Sequence, residues 1–278
     1  KTAYEIMPSL VGSEMCIRDS IHIVGLGNLG SSLLKGLKNL DNNLTFHLYE
    51  KEPKIIDFIN GEFGIKPKTE LETVESGVLI LCIKPKDLNN FIEMNKNKIS
   101  ENVLICTVLA GVETSYISKF VNNKIIRLMP NLSIKDNNGF IPYTKTYEED
   151  YLSFETILNG LGIISEYEEE LFHIITAIYG SGPAWYLELS SKIAEAATNL
   201  GLSQDDSSKI INELLKSLPA FANDEEFGDI VEKIKSPNGT TEAGLNSLMA
   251  DSFDKIIFNA INSATERSIQ ISKEINNE

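Results

Sequence analysis

"SIHIVGLGNLGSSLLKGL", Ser20 to Leu37, decides the fold. Ile21, Ile23 and Val24 form a short apolar run. Gly25, Gly27 and Gly30 then spell G-x-G-x-x-G, and Leu29, Leu33, Leu34 and Leu37 recur at helical spacing. The stretch predicts a strand, a tight turn and a helix. The first glycine permits the turn, and the second lets a pyrophosphate approach the backbone. The third lets helix and strand pack closely, while the helix N-terminus attracts the anion. The backbone from Gly25 through Leu26, Gly27, Asn28 and Leu29 to Gly30 is therefore the expected pyrophosphate site of a nicotinamide dinucleotide. The plain alternative is a glycine-bearing tight turn.

Working outward, "LTFHLYE" ends at Glu50, about twenty residues past the glycines, where an acid would bind the adenine-ribose hydroxyls and repel a 2′-phosphate. Glu52 adds to that sign and Lys51 opposes it, so the reading leans to NADH over NADPH. A solvated loop is the alternative. Val78 to Ile83 is apolar throughout, as a buried parallel strand should be, and stops at Lys84-Pro85. "NVLICTVLAGV" ends at Ala110-Gly111, and "KIIRLMPNLS" at Met129-Pro130-Asn131. Ligands of open parallel sheets bind beyond the carboxyl ends of the strands. Lys84-Pro85, Ala110-Gly111 and Pro130-Asn131 thus become candidate cofactor edges, although each alone also reads as strand termination.

From Glu168 the pattern turns helical, with a break expected at Gly180-Ser181-Gly182-Pro183. Ser203 is the expected N-cap of a further helix, with Asp206 in its first turn. The apolar excess of this half suggests a partner subunit; self-contained packing is the alternative. Within it, "SPNGTTEAGL", Ser236 to Leu245, is a second small-residue turn opening a helix. Its hydroxyls are expected to cap, and the free N–H groups to form an anion site for a substrate carboxylate. An ordinary Ser/Thr cap is the plainer reading.

The chain has 278 residues, room for two modest domains, and a net charge of −15 that argues against nonspecific nucleic-acid binding. Cys16, Cys82 and Cys106 form no Cys-x-x-Cys pair and the three histidines are scattered, so no metal is expected. Cys82 and Cys106 read as small buried hydrophobes. No apolar run reaches the ~20 residues of a membrane span, and no secretory signal opens the chain. A cytoplasmic protein is expected. Residues 1–19 show no clear period, and "MPSLVGSEMCIRD" resembles translated adapter sequence. The native start is expected near Ser20; a short disordered tail is the alternative. The expected division is a tail over 1–19, an α/β dinucleotide-binding domain over 20–166 and an all-α domain over 167–278.

Taken in order, "GLGNLG", "CIKPKDL", "LAGV", "RLMPN", "GSGPAWY" and "SPNGTTEAG" resemble the pyrroline-5-carboxylate reductase family from Ile21 to about Ile271. The resemblance implies an N-terminal Rossmann domain followed by an all-α dimerisation domain, interlocked homodimers and, in some members, rings of dimers. It implies reduction of 1-pyrroline-5-carboxylate, a cyclic imine carboxylate, to L-proline by NAD(P)H, the last step of proline biosynthesis. By the same resemblance Thr241 supplies a hydroxyl at the ring nitrogen, and Ser236, Asn238, Gly239 and Thr240 bind the carboxylate. Ala110 and Gly111 lie near the nicotinamide, and Cys82, Ile83, Lys84 and Pro85 line the cofactor.

The sequence departs from the family pattern in four places. Asn238 stands where a glycine is usual, Trp185 replaces a tyrosine, Ser191 lies where an acidic residue is common, and "IVEKIK" is an eroded form of the segment before the loop. Asn tolerates left-handed backbone better than most residues, so the loop shape is expected to survive. Other readings are a reductase of a related cyclic imine, a non-catalytic NAD(P)-binding or regulatory homologue, and an interaction module. A hydroxyacid reductase, for which Lys192 is the nearest lysine, is opposed by "SPNGTT".

Overall fold

In the computed structural model, which describes residues 20–40, 44–148, 152–221 and 225–277, Ser20–Val24 forms strand β1. The expectations for residues 1–19, Cys16 included, lie outside the described residues. The chain divides into two units. One runs to Gly180 and takes in the stretch from Thr265 onward; the other is Ser181–Ala264.

The first unit is a seven-stranded sheet in the order β2-β1-β3-β4-β5-β6-β7. Strands β1, β2 (Thr45–Tyr49), β3 (Val78–Leu81), β4 (Leu104–Thr107) and β5 (Ile125–Leu128) are mutually parallel. β3 and β4 are buried at every position, which their unbroken apolar runs VLIL and LICT require. The strand order reverses between β1 and β3, so the crevice of this sheet opens beside the turn after β1.

Helix α1 (Asn28–Lys38) follows that turn and buries Leu33, Leu34 and Leu37 completely. Each buried leucine stabilises the fold by about 1.5–3 kcal/mol. Lys35 and Lys38 in its last turn favour the negative end of the helix dipole. Helix α2 (Pro53–Phe63) starts on a proline and ends at Gly64, whose φ of 68° lies in the left-handed region that glycine adopts without strain. α3 (Leu88–Asn95), α4 (Thr114–Ile117) and α5 (Leu152–Leu161) complete the packing around the sheet.

Two strands escape the sequence reading. β6 (Gly139–Lys145) runs antiparallel to β5 and carries Pro142, which ordinarily argues against a strand. The Pro142 carbonyl accepts the Met129 N–H at 2.9 Å, so the proline is read through its acceptor. β7 (Gly162–Glu166) pairs parallel to β6, and a Cβ on Gly162 would fall 1.9 Å from the Gly139 oxygen. The third strand is shorter than expected: it ends at Leu81, and the Cys82 N–H makes a last bond to the Val24 carbonyl at 2.8 Å.

After Glu166, helix α6 (Phe172–Ile175) widens into a π turn at Thr176–Gly180. The break expected at Gly180–Pro183 lies there, and Gly180 ends the first unit. The second unit holds α7 (Gly182–Asn199), α8 (Gln204–Ser217), α9 (Phe227–Ile234) and α10 (Thr240–Ala250). Ser203 caps α8 as expected, its Oγ accepting the Asp206 N–H at 3.1 Å. Helix α11 (Phe253–Asn276) begins in this unit, and its residues from Thr265 belong to the first. Among the described residues of the second unit, Ile211 and Ile230 are the only large hydrophobics that are buried, whereas Tyr186, Leu187, Phe227 and Phe258 are all more than 60 % exposed. Within one chain, the apolar faces of these helices do not close. No helix is long and apolar enough to cross a membrane among the described residues.

Candidate active site

The glycine turn after β1 is built as its spacing requires. Gly25 has φ 88°, and its N–H donates to the Tyr49 carbonyl at 2.9 Å, tying the turn to the end of β2. A Cβ on Gly25 would meet the Cys82 oxygen at 2.8 Å, and one on Gly30 would meet the Gly25 oxygen at 2.1 Å. Those two glycines let helix, turn and β3 approach one another. Gly27 differs: a Cβ there would have nothing within 4 Å. It caps α1 in extended conformation with no side-chain cap, so the first-turn amides stand at the positive end of the helix. Open space at the glycine whose side chain would block an anion fits a pyrophosphate.

A cleft of about 850 Å³ opens here, lined by Gly25, Gly27, Glu50, Cys82, Ile83 and Lys84 among others. Pro85 opens a short 3-10 turn to Asp87 at the same strand end. The Leu26 side chain is buried, so this residue offers only its backbone; Asn28 is exposed, and Leu29 packs on the core. Glu50 is fixed by the backbone. One carboxylate oxygen accepts the Leu26 N–H at 2.7 Å, and the other accepts from Lys51 N at 2.7 Å and Glu52 N at 3.0 Å. A negative charge thus sits on the rim, tied to the glycine turn, while Lys51, Lys84 and Lys86 line the same cleft. Cys106 is buried as expected, whereas Cys82 is only half-buried at the cleft wall. Burial pushes the Cys82 thiol up to about 12 and raises that of Cys106 well above its ordinary value, so both stay protonated.

Beyond β4, Gly111 has φ 74°, and a Cβ there would meet Ile271 Cγ2 at 2.7 Å and the Ser268 oxygen at 2.9 Å. The segment it opens is pinned further along. Glu113 Oε1 accepts the Ser272 hydroxyl at 2.8 Å. Glu169 accepts the Thr114 N–H on Oε1 at 2.7 Å and the Thr114 hydroxyl on Oε2 at 2.5 Å. Arg127, in β5, donates from Nη1 to Glu169 Oε1 at 2.9 Å; its side chain is 0 % exposed and lies 4.8 Å from the centroid of the Phe172 ring. Burial lowers the Arg127 pKa from its ordinary value, an effect the Glu169 carboxylate opposes. Burial, then the Arg127 charge, lowers that of His173, whose Nδ1 is 2.9 Å from the Ser268 hydroxyl. Beyond β5, the Asn131 side chain accepts from the Ser133 N–H at 2.9 Å and caps the turn at Leu132–Asp136.

The second loop belongs to the second unit. Gly239 N–H donates to the Ser236 carbonyl at 2.9 Å, closing a turn with Pro237 second and Asn238 third. Asn238 has φ 60°, the left-handed position that a type II turn needs. A Cβ on Gly239 would fall 2.2 Å from Ser236 Oγ. The expected hydroxyl cap is not what forms. Gly239 itself caps α10 with no side-chain bond, and Glu242, in the first turn, reaches back to accept the Asn238 N–H at 2.7 Å. The backbone sets this outcome, since Thr240 and Thr241 are already helical and a cap residue must precede them. Their hydroxyls are left uncommitted to the cap.

The cofactor-edge candidates therefore gather in the first unit, and Ser236, Asn238, Gly239, Thr240 and Thr241 form one turn in the second. The sequence reading missed Thr114, Arg127 and Glu169. The signal available was the arginine inside the apolar strand "IIRL".

Comparison with known proteins finds two family matches. Residues 169–271 match the family profile described as pyrroline-5-carboxylate reductase dimerisation, and residues 20–111 match that of NADP oxidoreductase, coenzyme F420-dependent. Pyrroline-5-carboxylate reductase 1 of Bacillus subtilis is 30 % identical over 92 % of this chain and 90 % of its own length. The pyrroline-5-carboxylate reductase of Staphylococcus haemolyticus is 28 % identical over 91 % of this chain and 98 % of its own. The crystal structure of Plasmodium falciparum pyrroline carboxylate reductase with NADP bound shares the fold, with a TM-score of 0.77 at 24 % identity, covering 92 % of this chain and 99 % of that one.

Proposed function

Because the chain belongs to the pyrroline-5-carboxylate reductase family, we propose that it reduces 1-pyrroline-5-carboxylate to L-proline with NADH, as the last step of proline biosynthesis in the cytoplasm. The nicotinamide cofactor supplies, when bound, a hydride from C4 to the C=N carbon of the protonated imine. The chain's own residues bind and orient. The α1 N-terminus at Gly27 takes the pyrophosphate, with Gly25, Leu26, Asn28, Leu29 and Gly30 shaping the turn. Cys82, Ile83, Lys84 and Pro85 line the cofactor, and Ala110 and Gly111 face the nicotinamide. The anchored Glu50 carboxylate favours ribose hydroxyls over a 2′-phosphate.

On the substrate side, Ser236, Asn238, Gly239 and Thr240 hold the carboxylate at the α10 N-terminus. The Thr241 hydroxyl orients the ring nitrogen and helps exchange its proton, so the C=N carbon is fixed for attack. Two copies pair through the helical domain, over 167–278. The match to the dimerisation profile and the exposed Tyr186, Leu187, Phe227 and Phe258 support that pairing. Rings of such dimers are the larger assembly this reading expects.

The observation that carries the reading is the Asn238 backbone. At φ 60° it keeps the turn that a glycine would make, so the departure from the family pattern leaves the Gly239 cap and both threonines in register. The test is oxidation of NADH and of NADPH with and without pyrroline-5-carboxylate. Substrate-dependent oxidation, faster with NADH, is expected. NADH binding with no substrate-dependent oxidation would instead mark a non-catalytic homologue.

A further inference from the structure

An ion pair sealed inside a protein is a poor way to stabilise it, since desolvating both charges offsets most of their attraction. The Arg127–Glu169 pair comes close to that case, with the arginine side chain 0 % exposed and the Glu169 side chain 23 % exposed. Arg127 Nε and Nη2 have no hydrogen-bond partner among the described residues, which makes the arrangement costlier still. What the pair achieves is directional. Arg127 fixes the Glu169 carboxylate, and the two oxygens of that carboxylate take two donors of a single residue, the Thr114 amide and hydroxyl. Thr114 lies four positions after Ala110. The chain between them is also held by α11, where Gly111 packs on Ile271 and Glu113 accepts from Ser272.

We infer that Arg127 and Glu169 are positioning residues for the hydride-transfer step, acting through Thr114 to set the Ala110–Thr114 segment. The inference rests on the reading above, in which Ala110 and Gly111 face the nicotinamide. Small displacements of a reacting ring carry large rate penalties, so a segment held at several points suits that role. Glu169 and Arg127 belong to the reaction's geometry and not to its chemistry.

The first variants leave the pair intact and cut the hydroxyl bond it directs; a further one removes the charge of Glu169. Thr114→Val keeps the shape and removes the hydroxyl; Thr114→Ser restores it. We expect kcat of Thr114→Val to fall about tenfold with pyrroline-5-carboxylate, and its NADH dissociation constant to stay within about twofold. The isotope effect on kcat with NADH deuterated at the transferred C4 position should rise, which a mere loss of stability would not cause. Thr114→Ser should return both toward the parent. Glu169→Gln, which keeps an acceptor but loses the charge, should show the same split between kcat and cofactor binding. If the parent turns over and Thr114→Val matches it in kcat and isotope effect, the positioning role is wrong while the activity stands. If the parent itself fails to turn over, the activity is wrong and the positioning role falls with it.

Discussion

Gly27→Ala separates the cofactor site from the fold. The backbone at Gly27, φ −62° and ψ −165°, is open to any residue, and a Cβ there meets no atom within 4 Å. The folded state loses only the slight advantage of glycine over alanine at a helix cap, about 0.5–1 kcal/mol, or a fall in Tm of about 1–4 °C. The cofactor meets the methyl group where its pyrophosphate would approach the α1 amides. Each charge-assisted N–H bond lost there is worth about 1.5–3 kcal/mol, so NADH affinity should drop roughly ten- to a hundredfold per bond. Gly30→Ala is the contrasting variant. Its Cβ would lie 2.1 Å from the Gly25 oxygen, so the turn itself must move. Overpacking of that kind costs about 1–3 kcal/mol, and both stability and binding should fall together. Fluorescence titration with NADH, paired with a thermal melt, reads both quantities. Gly27→Ala binding NADH at parental affinity, with a parental melt, would refute the placement of the pyrophosphate over Gly27.

Three further outcomes are expected. Thr241→Ala should lower kcat through about 2–4 kcal/mol of lost transition-state stabilisation while NADH binding holds, and steady-state kinetics showing parental turnover would remove Thr241 from the mechanism. Glu50→Ser should raise the NADPH:NADH ratio of kcat/KM about tenfold, since a like charge at the 2′-phosphate is worth about 1–4 kcal/mol; an unchanged ratio would take Glu50 out of the ribose site. His22 stacks on His47 with ring centroids 4.4 Å apart, and burial, then His47, lowers its pKa from 6.5 to about 4. As pH falls, the unfolded chain therefore takes up this proton first, and stability is lost between pH 6.5 and 4, by about 2 kcal/mol from pH 7 to 5. Urea midpoints across that range should decline less steeply in His22→Val, and equal slopes would contradict the assignment.

β3, β4 and the glycine turn were legible because fully buried parallel strands are unbroken apolar runs and because Gly25 and Gly30 sit where a Cβ would strike backbone. β6 was not, because Pro142 lies within it, and β7 was not, because it is a short edge strand with little of it buried, its Ile163 included. The Ser236–Thr241 turn was readable down to the left-handed Asn238, whereas its cap was not, since helix onset depends on backbone angles that residue type does not dictate. The Thr114–Glu169–Arg127 linkage was hidden for another reason. Its members lie far apart in sequence, and only the sheet brings β5 beside the segment after β4.

The two small-residue turns share one construction. In each, a glycine in extended conformation caps a helix without a side-chain bond: Gly27 for α1 and Gly239 for α10. In each, the amide just before the cap is taken by a carboxylate at 2.7 Å, Leu26 by Glu50 and Asn238 by Glu242. The carboxylate fixes the turn's shape, and the amides beyond the glycine keep the positive field of the helix end. Ser203 shows the other solution in the same chain, a hydroxyl that satisfies a first-turn amide and so closes that end of α8. A helix start that only has to be stable can use its own side chain. Under the proposed function each of these two starts accepts an anion, and each has its shape secured from outside the amides it offers. The asparagine at 238 alters the rim of the second turn, since its N–H is the one already committed to Glu242, and leaves the α10 amides as they were.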